Sequence, residues 1–177
     1  MSTLFYESGF LDMRFSLLPK LMADSITDLT PQYLLDAGIK LLMLDFDNTI
    51  VPYTTNQPTE KMAAWLEKMA ASSIKICVVS NSKRDRVKIF CGQYGIDCIT
   101  HAKKPFSKGI RQCLDKYGLP EIQCALAGDQ IYTDVLGANC TGVRSILVKA
   151  IDNHNFWLKA RHILELPWIF AAGKRSL

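Results

Sequence analysis

The stretch LLMLDFDNTIVPY, residues 41–53, decides how this chain is to be read. Apolar residues from Leu41 to Leu44 run directly into Asp45 and Asp47, with Asn48 and Thr49 behind them. A short run that is apolar throughout predicts a strand buried on both faces. Carboxylates crowded where such a strand ends repel one another and resist leaving water. A divalent cation would remove that repulsion.

Working outward, the same kind of apolar run recurs at 74–80, 97–100, 124–128 and 143–148, the first one spanning 39–46. Amphipathic stretches near 58–72, 83–94, 107–117 and 132–139 separate these runs and predict helices. Apolar strands alternating with helices predict an α/β fold of three layers, Rossmann-like, with a central parallel sheet of about five strands. Ahead of the sheet, residues 1–38 read as a lead-in with one short helix, capped by Thr30, opened by Pro31 and closed by Gly38. Residues 39–150 form the expected catalytic core, and 151–177 a tail with a helix over 155–170 that breaks near Pro167. All of this predicts a single domain over 1–177, without repeats or low-complexity tracts.

The totals agree with that reading. At 177 residues, 49% hydrophobic and 21% charged, the chain can bury a sizeable core. A net charge of +4 with no dense Lys/Arg run gives no reason to expect nucleic acid. The six cysteines are scattered, mostly in apolar segments, and predict reduced thiols in a cytosol. Cys91, Cys98 and His101 lack the paired spacing of a zinc site. The N-terminus has no basic segment leading into a long apolar run, and no stretch reaches the length of an uncharged membrane span. The expected location is cytoplasmic.

Ligands of parallel α/β sheets gather beyond the carboxyl ends of the strands. Polar clusters stand at those ends repeatedly: Asp45 to Thr49, then Ser80-Asn81-Ser82, then Lys103-Lys104-Pro105, then Gly128-Asp129 with Asp134 beyond it. Asp45, Asp47 and Asp129 make an oxygen-rich set suited to Mg²⁺. Ser80 and the amides around Asn81, at a helix start, can receive a phosphate oxygen. A lysine from the third loop adds positive charge near both. Singly, each cluster has an ordinary use, Asp47-Asn48-Thr49 as a turn and Ser80-Asn81-Ser82 as a helix cap. Jointly they converge on one point.

The ordered set DFDNT, VVSNS, AKKP and GDQIYTD resembles the motifs of the haloacid-dehalogenase-type phosphatases. The lead-in from Pro19 to Lys40 and the TDVLGAN continuation, 133–139, bring the resemblance closer to the YqeG-like family within that superfamily. The resemblance implies Asp45 as the nucleophile that becomes an aspartyl-phosphate, and Asp47 as the acid and then the base. It implies Mg²⁺ on Asp45, the Asp47 carbonyl and Asp129, with Asp134 supporting the metal or its waters. Ser80 would hold the transferring phosphate, assisted by Thr49 and Asn81. Of the adjacent lysines, the family pattern selects Lys104, directly before the proline.

A large cap domain is missing: neither 51–58 nor 80–104 has room for one. An open site favours a large substrate or a phosphate presented by a surface, unless a second copy of the chain supplies a lid. Trp157, Leu164 and Trp168 near one face of the tail helix, with Lys159, Arg161 and Lys174, would permit peripheral contact with the inner face of a membrane. YqeG-like proteins are similar to a eukaryotic phosphatidylglycerophosphate phosphatase, which implies hydrolysis of that phospholipid headgroup. The alternatives are a soluble phosphatase for a nucleotide, sugar phosphate or phosphoprotein, and a receiver-type phospho-acceptor domain. The DxD spacing and the Gly128-Asp129 to Asp134 segment disagree with the receiver plan.

Overall fold

A computed structural model describes residues 15–83, 85–152 and 167–168. The helix expected over 155–170 lies outside the described residues except for its last part at 167–168.

The elements follow one another as β1 (Leu21–Ala23), α1 (Pro31–Asp36), β2 (Leu41–Leu44), α2 (Glu60–Ala70), β3 (Lys75–Val79), α3 (Arg86–Tyr94), β4 (Asp97–Ile99), α4 (Lys108–Tyr117), β5 (Cys124–Gly128), α5 (Leu136–Thr141) and β6 (Arg144–Val148). The six strands form one sheet in the order β1-β6-β5-β2-β3-β4, and every pairing is parallel. The five expected strands are all present. The sixth, β1, adds an edge strand within the lead-in, with Leu21 opposite Ile146 and Ala23 opposite Val148.

Alternation along the central strand explains the layers. Leu42, Leu44 and Phe46 pack into one buried cluster with Met62, Trp65, Leu66 and Met69 of α2 and with Val87 and Phe90 of α3. Leu41 and Met43 face the other way, into a cluster with Ile110, Cys113 and Leu114 of α4 and Ala138 of α5. A strand covered on both faces must be apolar at every position, and β2 is fully buried. The helices start where side chains replace missing backbone partners: Thr30 accepts from the Tyr33 amide at 3.2 Å, and Thr59 from the Met62 amide at 3.2 Å. The Trp65 indole donates to the Leu29 carbonyl at 2.9 Å, fastening α2 to the lead-in. All six cysteines are free, and Cys77, Cys91, Cys113 and Cys124 are buried.

The winding sets the site. From β2 the chain proceeds outward to β3 and β4, then crosses back to β5 on the other side of β2 and continues to β6. The crevice of such a sheet opens at the carboxyl ends beside the reversal, between β2 and β5. Asp45 follows β2 there, and Asp129 follows β5.

Candidate active site

The Asp45 amide continues the sheet by donating to the Ala127 carbonyl at 2.9 Å, so the backbone of Asp45 is fixed before its side chain is considered. Lys104 reaches it from the loop after β4. The Lys104 ammonium lies 2.7 Å from Asp45 Oδ1 and 2.8 Å from Asp134 Oδ1, with only 1% of its side chain exposed. Asp45, Asp129 and Asp134 are all buried, and one carboxylate oxygen from each lies within 4.8 Å of the others. Lys103 is exposed, with φ at 57°. Geometry therefore separates the adjacent lysines: Lys104 enters the acidic cluster and Lys103 does not.

Burial pushes the Asp45 carboxyl up from 3.8 to about 6; Lys104 pulls it down, while the charges of Asp134 and Asp47 push it up. Burial alone would lower the Lys104 ammonium, but the charges of Asp134 and Asp45 outweigh it and hold the proton on. The cluster thus sets one ammonium against three carboxyl groups, an imbalance that further positive charge would relieve.

Gly128 makes room for this cluster. A Cβ at that position would lie 2.2 Å from Asp134 Oδ2, so the strand end must carry a glycine for the carboxylate to lie against it. The other Asp134 oxygen position is fixed too, since Oδ2 accepts from the Gln130 amide at 3.1 Å. Residues Ile131–Val135 form a π-helical turn ahead of α5, and Asp134 sits on it. π-Turns of this kind occur frequently at functional sites.

Beyond Asp45 the chain turns sharply. The Ile50 amide donates to the Phe46 carbonyl at 3.0 Å, and the Asn48 amide to the Val51 carbonyl at 2.7 Å. Asn48 adopts φ of 67° and is fully buried. Its amide group donates to the Asp152 carbonyl at 2.6 Å, and its Oδ1 accepts from the Asp152 amide at 2.8 Å. Asn48 therefore stitches the loop after β2 to the segment after β6. The Thr49 hydroxyl is buried with no hydrogen-bond partner, an expensive state that a phosphate oxygen would relieve.

Ser80 is buried at the end of β3, its hydroxyl accepting from the Ser82 amide at 3.0 Å. Asn81 grips the backbone of the lysine loop from both sides: it donates to the Lys104 carbonyl at 2.9 Å and accepts from the Lys104 amide at 2.7 Å. Its amide is engaged by protein, so it acts on Lys104 directly. The Cys91, Cys98 and His101 set yields no cluster; among the described residues, the acidic trio is the group with metal-ligand geometry.

A family model described as "Mitochondrial PGP phosphatase" matches residues 7–151. The chain belongs to this family. "Probable phosphatase YqeG" of Bacillus subtilis (strain 168) is 36% identical over 131 residues, covering 74% of this chain and 76% of that protein. Among solved structures, the cobalt-bound deoxy-D-mannose-octulosonate 8-phosphate phosphatase YrbI of Haemophilus influenzae gives a TM-score of 0.52 at 14% identity, over 78% of this chain and 91% of that one. A hypothetical protein of Xanthomonas campestris gives 0.53 at 17% identity, over 83% and 79%. At these identities the structural likeness carries the fold alone. Membership in the PGP phosphatase family makes the chain a phosphatase and sets aside the receiver-type alternative. No helix among the described residues is long and apolar enough to cross a membrane.

Sequence reasoning missed Arg86, the first residue of α3. Its guanidinium lies 3.4 Å from Asp47 Oδ1 and 5.1 Å from the centre of the Phe46 ring. A signal was available: Arg86 precedes Val87 and stands one helical turn before Phe90, at the border of the buried stripe of α3.

Proposed function

We propose that this family member is a Mg²⁺-dependent phosphomonoesterase that uses Asp45 as its nucleophile and phosphatidylglycerophosphate as its substrate. The observation that carries the chemistry is the buried Asp45–Lys104–Asp134 ion-pair chain with Asp129 beside it at the mouth of the sheet. The donor set consists of hard oxygens and fits a hard divalent cation. Asp45, the Asp47 carbonyl and Asp129 would hold it, with Asp134 in support. Bound there, Mg²⁺ would neutralise the carboxylates and the phosphate oxygens, so that one anion can approach another.

Asp45 attacks phosphorus as the bond from phosphorus to the leaving oxygen breaks, and the electron pair departs with that oxygen. Asp47 delivers the proton it needs. Asp47, now a carboxylate, takes a proton from water as the water attacks phosphorus. The Asp45–phosphorus bond breaks, and inorganic phosphate leaves. Lys104 keeps Asp45 ionised and oriented, while Ser80 and the Thr49 hydroxyl hold the phosphate oxygens.

The family description supports the lipid, and so does the rim of the site. Tyr53, Phe106, Tyr132 and Ile151 are exposed apolar residues on the loops after β2, β4, β5 and β6, all at the catalytic end of the sheet. A mouth that no domain among the described residues caps, with an apolar rim, admits a headgroup whose chains stay in a membrane. The test is phosphate release from mixed micelles of phosphatidylglycerophosphate, compared with soluble sugar phosphates and nucleotides, in Mg²⁺ and in EDTA. Release from the lipid that needs Mg²⁺ and vanishes in Asp45→Asn is the expected result. Release from soluble esters alone would end the lipid assignment, and release by Asp45→Asn would remove Asp45 from its role.

A further inference from the structure

We propose that Arg86 is a positioning residue that holds the Asp47 carboxylate and the loop 52–55 as one unit, so that protonation of the leaving group depends on it. The inference rests on the reading of Asp47 as the acid of the first step.

The guanidinium is committed on several sides. Nη2 donates to the Pro52 carbonyl at 3.1 Å and to the Thr55 carbonyl at 3.0 Å, and Nη1 donates to the Tyr53 carbonyl at 3.2 Å. The plane rests against Phe46, which in turn packs edge-on against Phe90 with ring centres 5.3 Å apart. Only 10% of the Arg86 side chain is exposed. Neighbouring backbone and a ring thus fix the cation, and the fixed cation faces Asp47.

The ion pair to Asp47 Oδ1 is 3.4 Å long. A charge-assisted hydrogen bond would lie near 2.7–2.9 Å, roughly half an ångström shorter. At the longer separation the cation attracts the carboxylate and aims it from one side. Lysine could not reproduce this, because a single ammonium lacks the planar fork that reaches carbonyls in several directions. The same fork ties the residues that follow the Asp47–Val51 bridge, so displacing the loop and misaiming Asp47 are one event.

The experiment compares phenyl phosphate with p-nitrophenyl phosphate. The esters are close in size, but nitrophenolate departs readily unprotonated, whereas phenolate, with a conjugate acid near pKa ~10, needs the proton. The readout is kcat/KM, which covers the transfer to Asp45 and excludes the later water attack. Arg86→Met should lower kcat/KM for phenyl phosphate by about 100-fold, within the span of general acid catalysis. For p-nitrophenyl phosphate the loss should stay below about 10-fold, and Arg86→Lys should fall between wild type and Arg86→Met in the same ratio. If Arg86→Met fails to fold, the ratio in Arg86→Lys decides. Equal losses on both esters, or no loss, would overturn the assignment of Arg86 and leave the phosphatase reading standing. Where wild type cleaves neither ester, phosphatidylglycerophosphate in micelles, whose alkoxide leaving group also needs the proton, takes the place of phenyl phosphate, and an Arg86→Met variant with wild-type kcat/KM on it would overturn the assignment.

Discussion

Gly128→Ala puts the construction of the site to its hardest test, because the substitution adds one methyl group and no charge. The new Cβ would fall 2.2 Å from Asp134 Oδ2, 2.4 Å from its Cγ and 2.7 Å from its Cβ. Rotating the carboxylate relieves the first contact but not the last, so the backbone or the whole Asp134 side chain must move. Movement surrenders the 2.8 Å contact with Lys104 and the 3.1 Å bond from the Gln130 amide. Overfilling a packed site costs about 1–3 kcal/mol. Breaking a buried ion pair adds up to about 3–5 kcal/mol, here toward the low end because Lys104 keeps Asp45. The expected total is about 4–6 kcal/mol in urea unfolding of the metal-free protein, with phosphate release lost in parallel. A double-mutant cycle isolates the cause. Asp134→Ala removes the two nearest colliding atoms and the ion pair, so adding Gly128→Ala to it should cost at least about 2 kcal/mol less than in wild type. Additivity within about 0.5 kcal/mol would refute the packing of Asp134 against Gly128.

Other expectations follow from the same geometry. Lys104→Met should destabilise the metal-free protein by about 3–5 kcal/mol, since it leaves Asp45 and Asp134 buried without their counter-charge, whereas Lys103→Met should stay within about 0.5 kcal/mol; urea curves of the two separate the lysines. In EDTA, Asp45 binds more protons folded than unfolded between pH 3.8 and about 6, so its contribution is present below that window and is lost as pH rises through it. The shift of about 2 units corresponds to about 3 kcal/mol, and subtracting the pH profile of Asp45→Asn from that of wild type between pH 4 and 7 should recover a fall of that order. A difference that rises with pH would contradict the burial of Asp45. Asn48→Ala should cost about 2–3 kcal/mol by losing two hydrogen bonds and the tolerance for positive φ, and Asn48→Gly should recover about 1 kcal/mol of it in the same unfolding assay.

The layers of the fold were legible because β2, β3 and β5 lie in the middle of the sheet, where burial on both faces leaves no choice but apolar residues. β1 was not, because an edge strand of three half-buried residues, next to Pro19 and Lys20, carries little pattern of its own and gains its identity from pairing with β6. In the site, Asp45 and Asp129 stood out as charged residues at the ends of apolar runs, whereas the choice of Lys104 over Lys103 and the part given to Asp134 came from the family resemblance. Their meeting in one cluster needed the crossing from β4 back to β5. Arg86 and Asn48 were hidden for a different reason. Each acts chiefly through main-chain carbonyls and amides of distant segments, the loop 52–55 and residues 151–152, and backbone partners leave no trace in residue types.

The stitch between Asn48 and Asp152 has a consequence for where the working unit can be cut. The Ile151 amide also bonds to the Asn48 carbonyl at 3.0 Å, so three hydrogen bonds tie the nucleophile's loop to residues that follow the last strand. A truncation placed at Val148, where the sheet stops, would keep every strand and still release the turn that carries Asp47. The shortest fragment with an intact catalytic turn therefore reaches at least Asp152.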